Sequence, residues 1–183
     1  MDTSTSYLGL RLPHPFMAGA SPMGYSLDAI KRLEDAGCAA IVLHSLFEEQ
    51  VSLATEGRVA HVDPGDPEMS GRVSEYPPPA DYQYGPDGYA NHIVKVKQAV
   101  RIPVIASLNG HTGEAWLKFA RIIEQAGADA LEFNYYDVVT NVKVLSTAIE
   151  DGVVNAVTDL SRAVAIPVAI KLTPHYTAFG HGG

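Results

Sequence analysis

The chain has 183 residues, 21 of them acidic against 13 basic, with a formal charge of −8 and a pI near 5.2. That acidic excess argues against generic binding to nucleic acid or to an anionic membrane, since both want basic patches. With 46% hydrophobic and 19% charged residues the composition is globular, and one domain is the expectation at this length. Met1 to Ser6 has neither a basic start nor an apolar run, so no signal peptide is expected. No apolar stretch approaches the ~20 residues of a membrane helix. The single cysteine, Cys38, excludes an internal disulfide framework and a multi-cysteine zinc site. A soluble cytoplasmic protein is the expectation.

Short apolar runs alternate with helix-period segments. Pro15–Ala20 reads as a first strand ending in Ser21-Pro22. Ser26 then reads as the N-cap of a helix carrying Leu27, Ile30 and Leu33 at helical spacing. Ala40–Leu43 is a buried-strand run ending in His44-Ser45, and the span from Asp87 to Val100 is helical. Ile102–Ala106 ends in Ser107-Leu108-Asn109-Gly110, followed by a helix marked by Trp116, Leu117, Ala120 and Ile123. Ala130–Phe133 ends in Asn134-Tyr135-Tyr136-Asp137, followed by a helix marked by Ile149, Val153 and Leu160. Pro167–Ile170 ends in Lys171-Leu172-Thr173-Pro174.

Strand, helix, strand, helix predicts a parallel sheet with crossover helices. Two internal echoes strengthen it. Gln98-Ala99-Val100-Arg101-Ile102-Pro103-Val104 resembles Arg162-Ala163-Val164-Ala165-Ile166-Pro167-Val168, and Asp35-Ala36-Gly37 resembles Gln125-Ala126-Gly127. In each, glycine closes a helix or proline blocks its continuation. Repeated βα units favour a (β/α)8 barrel of the TIM-barrel type over a dinucleotide fold, as does the lack of a G-x-G-x-x-G after the first strand. The expected organisation is a single partial barrel domain over 1–183. Gly57–Pro86, with prolines at 64, 67, 77, 78, 79 and 86, forms a lid-like loop or a variable surface loop within it.

In such barrels the site lies where strands end and βα loops begin. Those ends carry Ala20-Ser21, His44-Ser45, Ser107 to Asn109, Asn134 to Asp137 and Lys171 to Thr173, whereas the strand beginnings are polar only at Asp129. Lys171 continues an apolar strand, so its ammonium needs an anionic partner or an aqueous cavity; pairing with Glu132 on a neighbouring strand is the structural alternative. Asn134 is either a site residue or a strand-end residue satisfying its own loop. Cys38, on a helix-to-strand turn, reads as a small core residue. His44, His111 and His175 at strand ends leave open a metal site with Asp137 or Glu48, though no tight ligand spacing supports it.

These residues resemble the flavin-dependent dihydroorotate dehydrogenases, in particular the bacterial dihydroorotate dehydrogenase-like branch. The resemblance is carried by Leu12-Pro13-His14-Pro15-Phe16 leading to Ala20-Ser21-Pro22, by Pro103–Gly110, by Glu132-Phe133-Asn134 and by Pro167–Leu172. It implies a barrel holding FMN across its strand ends, and the chemistry of pyrimidine biosynthesis, with a hydride passing from a C–H bond of a small substrate to the flavin. On that resemblance Ala20, Ser21 and Ser45 touch the flavin, while Asn134 and Lys171 hydrogen-bond its polar edge. A lysine there stabilises the anionic reduced ring.

The departures from the family are specific. His44 stands where members that oxidise dihydroorotate carry a lysine, and Tyr135 to Val139 replaces the segment holding their cysteine or serine base. Tyr136 and Asp137 are then the candidates for proton abstraction. Five strands are legible where a closed barrel needs eight, and the segments that usually grip a flavin phosphate follow the seventh and eighth. The expectation is the N-terminal part of a longer protein, of low stability and prone to losing flavin by itself. Two other readings stay open. One is a non-catalytic fragment or half-barrel completed by a homodimer partner or a complementing subunit. The other is a metal-dependent barrel hydrolase or lyase.

Overall fold

The computed structural model of the chain describes residues 2–47, 85–110, 113–136 and 143–173. A hairpin comes first: β1 (Thr5–Tyr7) pairs antiparallel with β2 (Leu10–Leu12). Its two turn residues, Leu8 and Gly9, have φ of 52° and 71°, the left-handed pair that matches a hairpin's twist. A 3₁₀ turn (Pro22–Tyr25) leads into α1 (Leu27–Asp35), whose N-cap Ser26 accepts a hydrogen bond from the Ala29 N–H at 3.3 Å. Then come β3 (Ile41–Phe47), α2 (Pro86–Ala99), β4 (Val104–Asn109), α3 (Gly113–Gln125), β5 (Ala130–Tyr135), α4 (Ser146–Ala163) and β6 (Val168–Leu172).

Strands β3, β4, β5 and β6 form one parallel sheet in chain order. Within this sheet each connection from one strand to the next holds a helix, so consecutive strands lie side by side as repeated βα units. One face of the sheet packs on the helices: Ile41, Leu43, Leu46, Leu108, Leu131 and Phe133 meet Ile30, Tyr89, Ile93, Val96, Phe119, Ile123 and Leu160 in the main core. Each such side chain, fully buried, contributes about 1.5–3 kcal/mol through apolar area removed from water. The opposite face is capped near the strand beginnings by the hairpin, where Leu12 packs with Val42, Ile105 and Ala130.

The first predicted strand is corrected. Of Pro15–Ala20 only Ala18 ladders with β3, through a single bridge to Ile41, with Ala18 N–H donating to Ala40 O at 3.1 Å and Val42 N–H to Ala18 O at 2.8 Å. Phe16 O also accepts the Ala39 N–H at 3.0 Å, just ahead of β3, but no continuous strand forms. The other four strand segments and all four helices form where the periodicity placed them, each strand ending two or more residues beyond its apolar run.

Both sequence echoes are structural repeats. Gly37 and Gly127 have φ of 89° and 91° and end α1 and α3 in the same way. Gly37 N–H donates to Glu34 O and Cys38 N–H to Leu33 O; Gly127 N–H donates to Glu124 O and Ala128 N–H to Ile123 O. Glu34 Oε1 accepts the N–H groups of Arg101 and Ile102 at 2.6 and 3.2 Å. Glu124 Oε1 accepts those of Ala165 and Ile166 at the same 2.6 and 3.2 Å. Each glutamate thereby clamps the turn that feeds the next strand. Asp129, the lone polar residue at a strand beginning, is also structural. It accepts Val104 N–H at 2.7 Å and pairs with Lys97 at 2.6 Å.

Candidate functional site

Side chains two apart on a strand share a face, so strand register stacks the open face into layers. Val42, Ile105 and Ala130 form the lowest, apolar layer. Above it lie Ser45, Ser107, Glu132 and Ala169; nearest the strand ends lie Phe47, Asn109, Asn134 and Lys171. The change from apolar to polar runs along the strands towards their C-terminal ends, where barrel sites sit.

The polar residues of the upper layers form one network. Ser45 Oγ and Ser107 Oγ are 2.8 Å apart. Asn134 Nδ2 donates to Ser107 Oγ at 3.0 Å and to Asn109 Oδ1 at 2.5 Å, and lies 3.4 Å from Ser45 Oγ. Ser107 Oγ donates to Glu132 Oε1 at 3.4 Å, and Lys171 Nζ donates to the same oxygen at 3.0 Å. Asn134 is 2% exposed, yet its Oδ1 has no hydrogen-bond partner among the described residues. Tyr7 joins from the hairpin: burial, and the Glu132 carboxylate nearby, hold its phenol above the usual range, with Lys171 opposing.

A bulge in β3 builds this arrangement. Val42 pairs with Ile105, but Ser45 pairs with Ser107, so β3 spends one extra residue. Tyr89 of α2 fills the break: its hydroxyl accepts the Ser107 N–H at 3.0 Å and lies 2.9 Å from His44 O and 3.2 Å from Ser107 O. The extra residue brings Ser45 to the open face and leaves His44 among aromatic rings. His44 stacks on Tyr25 with centroids 3.7 Å apart and meets the Tyr89 edge at 5.0 Å. Burial, reinforced by the neighbouring His92, pushes its pKa down to about 4. His92 is likewise lowered by burial, against a 2.6 Å hydrogen bond between its Nε2 and Gly24 O. Gly24 has to be glycine, because a Cβ there would stand 2.8 Å from the His44 backbone nitrogen.

Of the residues expected to hold a cofactor, the structure joins Ser45, Asn134 and Lys171 through Ser107 and Glu132. Ala20 and Ser21 follow the Ala18 bridge on its C-terminal side, where Ser21 makes no capping hydrogen bond with its side chain. Tyr136 is 49% exposed immediately after β5. Asp137, Glu48, His111, His175 and residues 57–84 of the lid-like loop lie outside the described residues; Pro86 opens α2. Among the described residues no three His, Cys, Asp or Glu side chains come together as metal ligands. Lys171 takes the partner that the sequence offered as an alternative, Glu132. Sequence reasoning placed Ser107 among the strand-end polar residues and Glu132 beside Lys171 but gave neither a cofactor role, although the two-residue period Ile105-Ser107-Asn109 and Ala130-Glu132-Asn134 puts them on the open face. Tyr7, Tyr89 and His92 have no local signal.

The donor set fits the polar edge of a flavin. That edge alternates carbonyl acceptors with an N–H donor. Asn134 offers an unspent acceptor, the two serines can donate or accept, and Lys171 offers a cationic donor. A shallow surface pocket lined by Leu117, Lys118, Arg121, Ile122 and Gln125 lies on α3, apart from this network.

Comparison with solved structures defines the class. A dihydrodipicolinate synthase superposes with a TM-score of 0.54 at 16% identity, covering 89% of this chain and 47% of that one. The enzyme of the same name from Oceanobacillus iheyensis gives 0.52 at 12% identity, covering 90% and 46%. The fold is a partial (β/α)8 barrel. No family model matches the chain. Curated relatives do. The chain is 26% identical over 190 residues to the catalytic subunit of dihydroorotate dehydrogenase B (NAD(+)) from Thermoplasma volcanium, covering 95% of the chain and 55% of the relative. It is 25% identical over 142 residues to the NAD-dependent dihydropyrimidine dehydrogenase subunit PreA of Escherichia coli, covering 73% and 32%. Dihydroorotate dehydrogenase A (fumarate) from Lactobacillus helveticus matches at 23% over 188 residues, covering 97% and 56%. The chain thus spans about half the length, or less, of the curated relatives it matches.

Proposed function

We propose that this chain belongs to an FMN-dependent oxidoreductase of the dihydroorotate dehydrogenase type, acting on a small substrate in the cytoplasm. The observation that carries the reading is the Ser45–Ser107–Asn134–Glu132–Lys171 network at the C-terminal ends of parallel strands, in a chain similar to such enzymes along 95% of its length. FMN, when bound, supplies the two-electron acceptor. Asn134 orients the ring by accepting its N–H, Lys171 supplies positive charge at the polar edge, and Ser45 and Ser107 fix the Asn134 amide. Ala20 and Ser21 line the same rim. Tyr136 and Asp137 are the groups proposed to take a proton from the carbon next to the one that gives up its hydride, leaving a double bond between the two.

We further propose that the protein works in an assembly, either with another copy of itself or with a complementing subunit, as the PreA relative is named a subunit. The test is a titration of the chain with FMN, read by quenching of flavin fluorescence and by the visible band retained after desalting. Saturable binding that Asn134→Ala weakens by about tenfold, the worth of one good hydrogen bond, supports the reading. Binding unaffected by Asn134→Ala, or none by the wild-type chain even with a co-expressed partner, overturns it in favour of a non-catalytic half-barrel.

A further inference from the structure

We infer that Glu132 is a positioning residue that docks the Lys171 ammonium against the barrel wall, so that the site presents its ligand with a balanced ion pair rather than a bare cation. The inference deepens the proposed function and rests on it for the identity of the ligand.

The geometry is specific. Glu132 lies in the middle layer and Lys171 in the layer above, one strand over, so the lysine reaches back down the wall to meet the carboxylate at 3.0 Å. The two ends of the pair differ in environment: the Glu132 side chain is 15% exposed and that of Lys171 46%. The carboxylate is further fixed by the Ser107 hydroxyl at 3.4 Å, and Ser107 is tied to Ser45 and Asn134. Glu132 is therefore the anchored partner and Lys171 the arm that can move. The groups facing the pair are Ser107 from β4 and the Tyr7 phenol from the hairpin, both uncharged at neutral pH, so Glu132 supplies the counter-charge.

A site whose lysine is already neutralised binds an uncharged ring without desolvating a bare ammonium. When that ring becomes anionic on reduction, Lys171 can turn to it, and Glu132 keeps the preference for the anion modest. Removing the carboxylate leaves a bare cation and raises that preference.

The experiment compares the wild-type chain with Glu132→Gln and Glu132→Asp in two arms. In the cofactor-free arm, limiting acetylation by an N-hydroxysuccinimide ester is mapped by mass spectrometry, with the exposed Lys118 as internal reference. Lys171 is expected to react about threefold faster in Glu132→Gln, the worth of a half-exposed ion pair. Glu132→Asp is expected to restore protection in part. Equal rates in wild type and Glu132→Gln overturn the inference. In the second arm, oxidised and chemically reduced FMN are titrated anaerobically. Glu132→Gln is expected to shift the affinity ratio towards reduced FMN by roughly tenfold; an unchanged ratio overturns the charge-balancing role. If wild type binds neither form, the flavin reading has failed and the acetylation arm decides the Glu132 role alone.

Discussion

Tyr89→Phe tests how the fold makes the site. The substitution removes one oxygen from a ring that is 1% exposed and leaves the packing against Ile93 and His44 in place. That oxygen accepts the Ser107 N–H at 3.0 Å and donates its single proton at 2.9 Å to His44 O or at 3.2 Å to Ser107 O. Because the β3 bulge interrupts the ladder there, neither backbone group gains another strand partner. A buried N–H and a buried C=O left unsatisfied cost about 1–3 kcal/mol each, offset in part because a buried hydroxyl no longer needs partners. The expected loss is about 2–3 kcal/mol. For a chain of this size that lowers Tm by roughly 5–10 °C. Urea unfolding measures the loss, and hydrogen exchange locates it, since the Ser107 amide is expected to lose protection before the rest of β4. Tyr136→Phe, at an exposed ring, serves as the control with no change expected. A loss below about 0.5 kcal/mol with Ser107 still protected would refute the idea that Tyr89 plugs the bulge.

Two further predictions follow from the same physics. Glu34→Ala and Glu124→Ala each strip two backbone N–H groups of a charged acceptor, and each is expected to cost about 1–2 kcal/mol in thermal or urea unfolding. The double variant should cost the sum within about 0.5 kcal/mol, since the clamps hold different turns; strong non-additivity would contradict two independent repeats. The His44 pKa near 4 makes stability pH-dependent. The unfolded chain binds a proton near pH 6.5 that the folded chain refuses, so stability is fully present above pH 6.5 and is lost as pH falls towards 4. The loss is up to about 3 kcal/mol, and His44→Phe, which keeps a ring against Tyr25, should flatten the Tm-versus-pH curve in that window. An unchanged curve would show that His44 is not held neutral by the fold.

What was legible in the sequence was the repeat, and the reason is local. Gly37 and Gly127 need positive φ, Pro103 and Pro167 stop helices, and Glu34 and Glu124 precede those glycines by the same three residues, so one physical unit writes the same residues twice. The first strand was over-read because apolar content alone does not make a ladder: pairing beside β3 is confined to the Ala18 bridge and the Phe16 O contact with Ala39 N–H. The hairpin was not singled out because each of its strands is three residues long, too short for a two-residue period to stand out.

The site was half legible for a related reason. Position along the sequence put Ser45, Asn134 and Lys171 at strand ends, but which face each occupies depends on register, and strand period reports register only where no bulge intervenes. Counting without the bulge from Val42 opposite Ile105 would set His44 opposite Ser107, on the open face. It would also set Ser45 opposite Leu108, whose side chain is in the core against the helices. The Asn134 amide would then lose one of its serine neighbours, and an imidazole would stand over the apolar layer. The one-residue excess in β3 reverses both placements, and its backbone groups are met by Tyr89, 44 residues beyond Ser45 in the chain. The polar network therefore depends on a contact between α2 and a strand break that no local pattern records.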